Sequence, residues 1–85
     1  MKKIDEIRSE IDEVDEKIVE FLNKRLNLVR ELSRLKKVHD IDIIDKKREK
    51  EVLERAIQLS SPDNKEALSK IYSEIINACR ELQVE

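Results

Sequence analysis

The chain has 85 residues, 45% of them charged and 2% aromatic, with one proline and no glycine, a composition typical of long helices rather than of β-sheets. Its 18 basic and 20 acidic residues are interspersed and leave a net charge of −2, so they create no large positive field for a nucleic acid. Because so short a chain buries little apolar surface, we expect an all-α protein that needs a partner chain.

Membrane insertion, secretion and metal chemistry are also disfavoured. No run approaches the roughly 20 apolar residues that cross a bilayer, and the first ten residues, MKKIDEIRSE, lack the apolar stretch of a signal peptide. We therefore expect no membrane contact and a cytoplasmic location. The single cysteine, Cys79, has no second cysteine or group of histidines beside it, so neither a disulfide nor a metal site is predicted.

A very long first helix is predicted from a heptad pattern. Apolar residues recur in steps of three and four at Ile4, Ile7, Ile11, Val14, Ile18, Phe21, Leu28, Leu32 and Leu35. Arg25 occupies one position of this series. The helix covers roughly residues 3–38 and is about 50 Å long. We call this row of apolar residues, with Arg25 in it, the seam. Its own chain is too small to cover the seam, so we expect the same helix of a second copy to pack on it, in an intertwined homodimer.

The second helix, roughly residues 46–59, follows a short connection. The segment HDIDIID at 39–45 loses the helical period and ends in Asp45, a residue type that caps helices. The apolar stripe of the helix is Val52, Leu53, Ala56 and Ile57. At helical spacing this stripe continues backwards to Glu49, Arg48 and Asp45, so three polar groups are predicted to face inward.

The third helix, roughly residues 63–83, begins after the break SSPDN. Either Ser61 caps it with Pro62 in the first turn, or Asp63 caps it with Glu66 three residues on. Its apolar face is predicted to comprise Leu68, Ile71, Tyr72, Ile75, Cys79 and Leu82. Gln83 lies one turn beyond Cys79 on the same side. Nothing in the sequence suggests a linker, so residues 1–85 are predicted to form a single domain.

Arg25, which lies within the seam of the first helix, needs a binding partner. Removing the Arg25 guanidinium from water without one is costly, so Arg25 is either a register device of a coiled coil or a ligand-binding group. Lys36 lies on the same side about 16 Å further along, within reach of an extended small molecule. An isolated lysine beside a seam is, however, more commonly a surface residue whose stem covers apolar neighbours.

Arg8 extends this argument to the partner chain. It lies about 25 Å from Arg25 on the same helix and cannot serve the same site within one chain. If two long helices pair antiparallel, Arg8 of one copy approaches the region between Arg25 and Lys36 of the other. The alternative is a solvated arginine paired with nearby glutamates.

The polar groups of the other two helices also have ordinary explanations. Asp45 can be only a cap, Arg48 and Glu49 a first-turn salt bridge, and Gln83 an exposed residue of a last turn. Considered jointly, however, the polar groups on the apolar sides of the three helices contain more cations than anions. Such a surplus favours a dianionic ligand.

In order and spacing, these residues resemble the small all-helical chorismate mutases, which are intertwined dimers of three-helix chains. The resemblance covers essentially the whole chain. It is carried by an arginine in IRSEID, a second in LNKR, a lysine in SRLK, the D-x-x-R-E run at 45–49 and the glutamine of ELQ. It implies the rearrangement of chorismate to prephenate, on the branch toward phenylalanine and tyrosine, with no cofactor and no covalent intermediate.

The resemblance also implies how the substrate is held. Chorismate is a dicarboxylate whose enolpyruvyl arm must fold over the ring, and guanidinium groups can hold it in that conformation. This role is implied for Arg25 and for the partner subunit's Arg8, with Arg48 in the same charged wall.

The remaining implied roles concern the ether oxygen and the ring hydroxyl. As the ether bond breaks, its oxygen gains negative charge, and the positions of Lys36 and Gln83 match donors that stabilise it. Glu49, with Asp45 nearby, matches the group that accepts a hydrogen bond from the ring hydroxyl. Cys79 stands where a member of the family has a serine that helps to bind a carboxylate. Because a thiol donates more weakly, we expect Cys79 to have a packing role.

Two other functions remain open. An isochorismate pyruvate-lyase on the same fold shares the arginines, the lysine and the glutamine, but has less reason to retain Glu49. A non-catalytic helical dimerisation module needs only the charged seam for register, and it needs neither Lys36 nor Gln83.

Overall fold

The computed structural model describes residues 3–84 and contains three α-helices. They are α1 (Ile4–Val38, 35 residues), α2 (Lys46–Leu59, 14 residues) and α3 (Lys65–Val84, 20 residues). Residues 3–84 include no β-strand. The prediction of an all-α chain of three helices with a very long first helix is confirmed. The predicted domain, residues 1–85, extends beyond the described range at both ends.

α1 ends in a turn that an aspartate makes possible. Asp40 has a φ of 55°, in the left-handed region that glycine usually occupies after a helix and that aspartate tolerates better than most residues. The backbone N–H of Ile41 donates to the carbonyl of Lys36 at 2.8 Å, and that of Asp40 to Lys37 at 3.4 Å. These two bonds form a Schellman motif, which satisfies the last carbonyls of the helix.

α2 begins at a side-chain cap. Asp45 has an extended backbone, and its carboxylate accepts a hydrogen bond from the backbone N–H of Arg48 at 3.0 Å. The predicted capping role of Asp45 is thus observed. A carboxylate at this position also favourably opposes the positive end of the helix dipole.

α3 is preceded by a single 3-10 turn at Pro62–Asn64. Ser61 is the capping residue by position, but its side chain makes no capping hydrogen bond, and Pro62 takes the first turn position. The regular helix therefore begins at Lys65 rather than at the expected residue 63. The proline explains this order, because its fixed φ suits a first turn and its missing N–H leaves no donor unsatisfied there.

α3 packs against both α1 and α2 and contains the most buried apolar side chains of the described chain, Ile76 and Cys79. Ile76 was absent from the predicted stripe, whereas Ile71, which belonged to it, is exposed in the single chain. This shift follows from the two partners of α3, because contact with two helices buries a broader face than one stripe describes.

The amino-terminal half of α1 extends away from the other helices. Every described side chain before Leu22 is exposed, including the apolar seam, where Ile11 is 53% and Phe21 61% exposed. The molecule measures 57 × 24 × 16 Å along its principal axes. The exposed seam is an apolar surface that the single chain leaves uncovered.

Within the described residues, no helix combines the length and the apolarity that crossing a lipid bilayer requires.

Candidate active site

A cavity of about 300 Å³ lies between the carboxyl-terminal half of α1, the start of α2 and the end of α3. Its apolar wall is formed by Leu28, Val29, Leu32, Val52 and Ile76. Its polar and charged wall contains seven of the eight side chains that the sequence singles out: Arg25, Lys36, Asp45, Arg48, Glu49, Cys79 and Gln83. Residues far apart in sequence thus meet at one site that combines apolar and charged side chains.

Arg25 projects from the seam of α1 toward α3. Its Nη1 donates to the Cys79 sulfur at 3.0 Å, and its guanidinium carbon lies 5.9 Å from the centre of the Tyr72 ring. Neither partner is a carboxylate, so the charge of Arg25 is not neutralised by these contacts. The stacking on Tyr72 is a cation–π contact, which orients the guanidinium while leaving further N–H donors for a ligand.

Cys79 is 5% exposed, and it lines the cavity with its sulfur accepting from Arg25. This burial fits the packing role expected from the sequence. The sulfur also fixes one side of the Arg25 guanidinium, a contact that the sequence did not suggest.

Lys36 and Gln83 meet at the opposite end of the cavity. The Lys36 ammonium donates to the backbone carbonyl of Ile43 at 2.9 Å and to the Gln83 side-chain oxygen at 3.4 Å. An ammonium has three N–H donors, so these two bonds leave one for a ligand. The Ile43 carbonyl is available because the Schellman turn at Asp40 brings the connection back toward α1.

Gln83 is held at three atoms. Its Nε2 donates to the carbonyl of Cys79 at 3.3 Å, its Oε1 accepts from Lys36, and its backbone carbonyl accepts from the buried hydroxyl of Ser33 at 3.4 Å. Ser33 precedes Lys36 by three residues on α1, so the same face of that helix contacts both the backbone carbonyl and the side chain of Gln83. The second N–H of the Gln83 amide remains a donor for the cavity.

Asp45 and Arg48 form the rim at the start of α2. One Asp45 oxygen is used by the cap, which restrains the carboxylate beside the cavity. The Arg48 side chain is 68% exposed and lies 3.9 Å from the Glu51 carboxylate, a surface ion pair one turn away. The first-turn salt bridge between Arg48 and Glu49, considered above as the ordinary explanation, is thus not the pairing that these two residues adopt.

Glu49 instead pairs with Arg80 of α3, a residue that the sequence interpretation missed. Arg80 Nε donates to Glu49 Oε2 at 3.0 Å, and Arg80 Nη2 donates to the other carboxylate oxygen. These hydrogen bonds lower the pKa of Glu49, partial burial opposes the effect, and the positive charges of Arg80 and Lys46 add to it. The helical spacing of Ile76, Arg80 and Gln83 was the signal that could have placed Arg80 on the inner face.

Arg8 does not line this cavity, and it lies on the exposed amino-terminal half of α1. A second cavity of about 420 Å³ shares Arg25, Arg48 and Val52 with the first and is otherwise bounded by Arg55, Ala56, Leu59, Leu68 and Tyr72. These three shared residues therefore lie between two neighbouring cavities.

The charges favour an anionic ligand. Three cationic side chains and two carboxylates line the first cavity, and one of those carboxylates is already neutralised by Arg80. Arg25 and Lys36 are partly buried, so their attraction for a carboxylate is stronger than at an open surface. The site offers fixed donors at both ends and one fixed carboxylate acceptor, but no nucleophile paired with a base among the described residues that line it.

A family model described as chorismate mutase type II matches residues 7–84. The chain belongs to this family. The resemblance identified in the sequence is thereby confirmed, and the three-helix fold is the expected one for a chorismate mutase type II chain.

Two relatives add detail. The chain is 35% identical over 88 aligned positions to a bifunctional chorismate mutase/prephenate dehydratase of Aquifex aeolicus, an alignment that covers 98% of this chain and 24% of the relative. It is 34% identical over 64 positions to a chorismate mutase of Methanocaldococcus jannaschii, covering 75% of this chain and 65% of that protein. The chain thus spans less than two thirds of the length of each relative.

Proposed function

We propose that the chain is a chorismate mutase, which converts chorismate to prephenate by an intramolecular Claisen-type rearrangement in phenylalanine and tyrosine biosynthesis. The observation that carries this proposal is the convergence of Arg25, Lys36 and Arg48 with the fixed carboxylate Glu49 on one cavity. Family membership and the names of the two relatives support the same activity.

Substrate binding follows from the placement of the guanidinium groups. A dicarboxylate that folds its side arm over its ring loses conformational freedom, and groups that grip both carboxylates offset that cost before reaction. Arg25 is oriented by Cys79 and Tyr72 and retains further donors for one carboxylate. Arg48 is only loosely paired at the surface, so it can turn toward the same ligand.

Rate acceleration requires donors that act more strongly on the transition state than on the substrate. The ether oxygen gains negative charge as its bond to the ring breaks. Lys36 and Gln83 both line the cavity, and each has one N–H donor beyond those used in its observed hydrogen bonds. Their other hydrogen bonds hold them in place, so little reorganisation is needed at the moment of reaction. The Glu49 carboxylate accepts a hydrogen bond from the ring hydroxyl, with Asp45 nearby. The reaction is unimolecular and needs no cofactor.

We further propose that the active form is an intertwined homodimer in which the partner subunit's Arg8 completes the site. The uncovered seam of α1 supports this arrangement, because an apolar surface along some 50 Å of helix is typical of an interface. The second cavity beside Arg25 and Arg48 offers room for a cationic group from another chain, toward a second carboxylate of the ligand. The cytoplasmic location remains a prediction from the sequence.

The test is turnover of chorismate by the purified chain, followed as loss of chorismate's ultraviolet absorbance. Chromatographic identification of the product distinguishes prephenate from the products of a pyruvate-lyase. A chain that leaves chorismate unchanged at high protein concentration is not a chorismate mutase, and would fit the non-catalytic dimerisation module instead. Glu49 favours the mutase over the lyase, because its carboxylate lines the cavity and can accept a hydrogen bond from the ring hydroxyl of chorismate.

A further inference from the structure

Arg80 and Glu49 form a two-point ion pair that joins α3 to the first turn of α2. Both carboxylate oxygens of Glu49 accept from the guanidinium, one from Nε and the other from Nη2. This contact fixes the plane of the carboxylate as well as its position. The side chains are 21% exposed for Glu49 and 40% exposed for Arg80, so the pair is partly shielded from water.

We propose that Arg80 is a positioning residue, which holds the Glu49 carboxylate in the orientation that accepts the ring hydroxyl of the substrate. The inference rests on the proposed function of this site, and it deepens that function. Arg80 itself does not line the cavity, whereas Glu49 does. Each carboxylate oxygen has a second lone pair beyond the one that Arg80 occupies, and these remain available to a hydroxyl.

The same contact keeps Glu49 an acceptor. A protonated carboxyl would present a hydrogen to the guanidinium or to the substrate hydroxyl, and Arg80 disfavours that form by lowering the pKa of Glu49. Lys46 acts in the same direction, while partial burial and the neighbouring Asp45 oppose it. From α1, the cations of Arg25 and Lys36 face the same cavity.

Arg80 also explains how the site tolerates Glu49 without losing its attraction for a dianion. An isolated glutamate among the binding cations would repel the substrate carboxylates. Because Arg80 neutralises it from outside the cavity lining, Glu49 contributes an oriented acceptor and Arg25, Lys36 and Arg48 keep their charge for the ligand.

The expected signature is a change in binding rather than in the chemical step. The ring hydroxyl is not part of the bond that breaks or the bond that forms, so its acceptor stabilises substrate and transition state about equally. Arg80→Gln should therefore raise KM for chorismate about fivefold, with kcat within about twofold of the wild type. Arg80→Lys keeps the charge but loses the two-point geometry, so it should restore part of the affinity.

A double-mutant cycle separates positioning from a merely structural effect. In a Glu49→Gln background, Arg80→Gln should change KM by less than about twofold, because the group that it positions is gone. The acid limb of the kcat/KM profile should move to higher pH in Arg80→Gln. Arg30→Gln, at an exposed arginine on the outer face of α1, is the matched control and should leave KM and the profile unchanged.

The outcomes distinguish this inference from the proposed function. If the wild type produces prephenate and Arg80→Gln raises KM by the same factor whether Glu49 is present or replaced, Arg80 does not act through Glu49 and the inference is wrong. If the wild type leaves chorismate unchanged, the proposed function fails. In that case NMR titration of the Glu49 carboxyl decides whether Arg80 sets its ionisation, since an unchanged pKa in Arg80→Gln overturns the inference.

Discussion

The Lys36 ammonium and the Gln83 side-chain oxygen lie 3.4 Å apart and join the end of α1 to the end of α3. The same ammonium is anchored at 2.9 Å to the carbonyl of Ile43, in the connection to α2. Three segments of the chain therefore meet at one cation. The position of the Lys36 ammonium therefore depends on how these three segments pack together.

Lys36→Ala tests the proposed role of Lys36 as a donor to the ether oxygen. Removing one preorganised donor from a developing negative charge typically costs about 10² to 10³ in kcat, so we expect a loss of that size with a smaller change in KM. The measurement is the initial rate of prephenate formation under saturating chorismate. Lys37→Ala, at the next position on the outer side of α1, is the control and should retain activity. A Lys36→Ala enzyme with unaltered kcat would remove Lys36 from the reaction.

Arg25→Leu separates substrate binding from folding. The guanidinium is half-buried, and its contacts with Cys79 and Tyr72 supply no opposite charge, so an apolar replacement relieves a desolvated charge. We expect turnover to be abolished while the thermal unfolding midpoint stays the same or rises. Arg25→Lys should recover little activity, because it keeps the charge and loses the fork geometry. Activity that survives Arg25→Leu would contradict the role assigned to this arginine.

Mixed dimers test whether Arg8 acts across chains. Arg8→Ala and Arg25→Leu homodimers should both be inactive. A heterodimer of the two should contain one site with an intact Arg25 and an intact Arg8 from the partner. After equal amounts are unfolded together and refolded, statistical pairing predicts about one quarter of wild-type activity. If Arg8 serves its own chain, mixing will restore nothing, and if it serves no site, the Arg8→Ala homodimer will already be active; either result contradicts the proposal.

The uncovered seam predicts an oligomer that a single charge can dissociate. Ile11 lies on the seam and is 53% exposed in the single chain. Replacing it by glutamate on both helices of a dimer should weaken association about 100-fold, from lost apolar burial and buried charge. Sedimentation equilibrium should give about twice the 10.1 kDa chain mass for the wild type and a lower mass for Ile11→Glu.

Ser9→Glu is the control for that comparison, because it adds the same charge on the outer face of α1. It should leave both mass and activity unaltered. A wild type that sediments as a single chain while rearranging chorismate would contradict the composite site.

The Glu49–Arg80 pair predicts how stability depends on pH. The pKa of Glu49 is lower in the folded chain than in the unfolded chain, chiefly because Arg80 hydrogen-bonds to its ionised form. The stabilisation is therefore fully present above the unfolded pKa of about 4.3, and it is lost as pH falls through the folded value. Denaturant unfolding of wild type and Glu49→Gln should give a constant difference from about pH 7 to about 5 that shrinks in more acid solution. A difference independent of pH would rule out the ion pair as its source.

The sequence was sufficient to predict the helices and most of the charged and polar residues that line the cavity. A separation of eleven residues, close to three helical turns, placed Arg25 and Lys36 on one side of α1. The cap at Asp45 set the start of α2, and the break residues before α3 located its beginning to within two residues. These are local properties, determined by helical periodicity and by the hydrogen bonds of helix ends. Resemblance to a family then linked residues that periodicity alone leaves on separate helices.

Tertiary packing decided which of those groups touch. Glu49 had a plausible local partner in Arg48, yet its partner is Arg80, 31 positions away, because the packing of α3 on α2 brings a two-point donor to a partly buried carboxylate. Ile76 is buried for the same reason. The backbone carbonyl of Ile43 accepts a hydrogen bond from Lys36 because the left-handed turn at Asp40 directs the connection back toward α1. Sequence spacing determines which face of a helix a side chain occupies, whereas the relative placement of helices determines its partner, and that placement depends on contacts distributed over the whole chain.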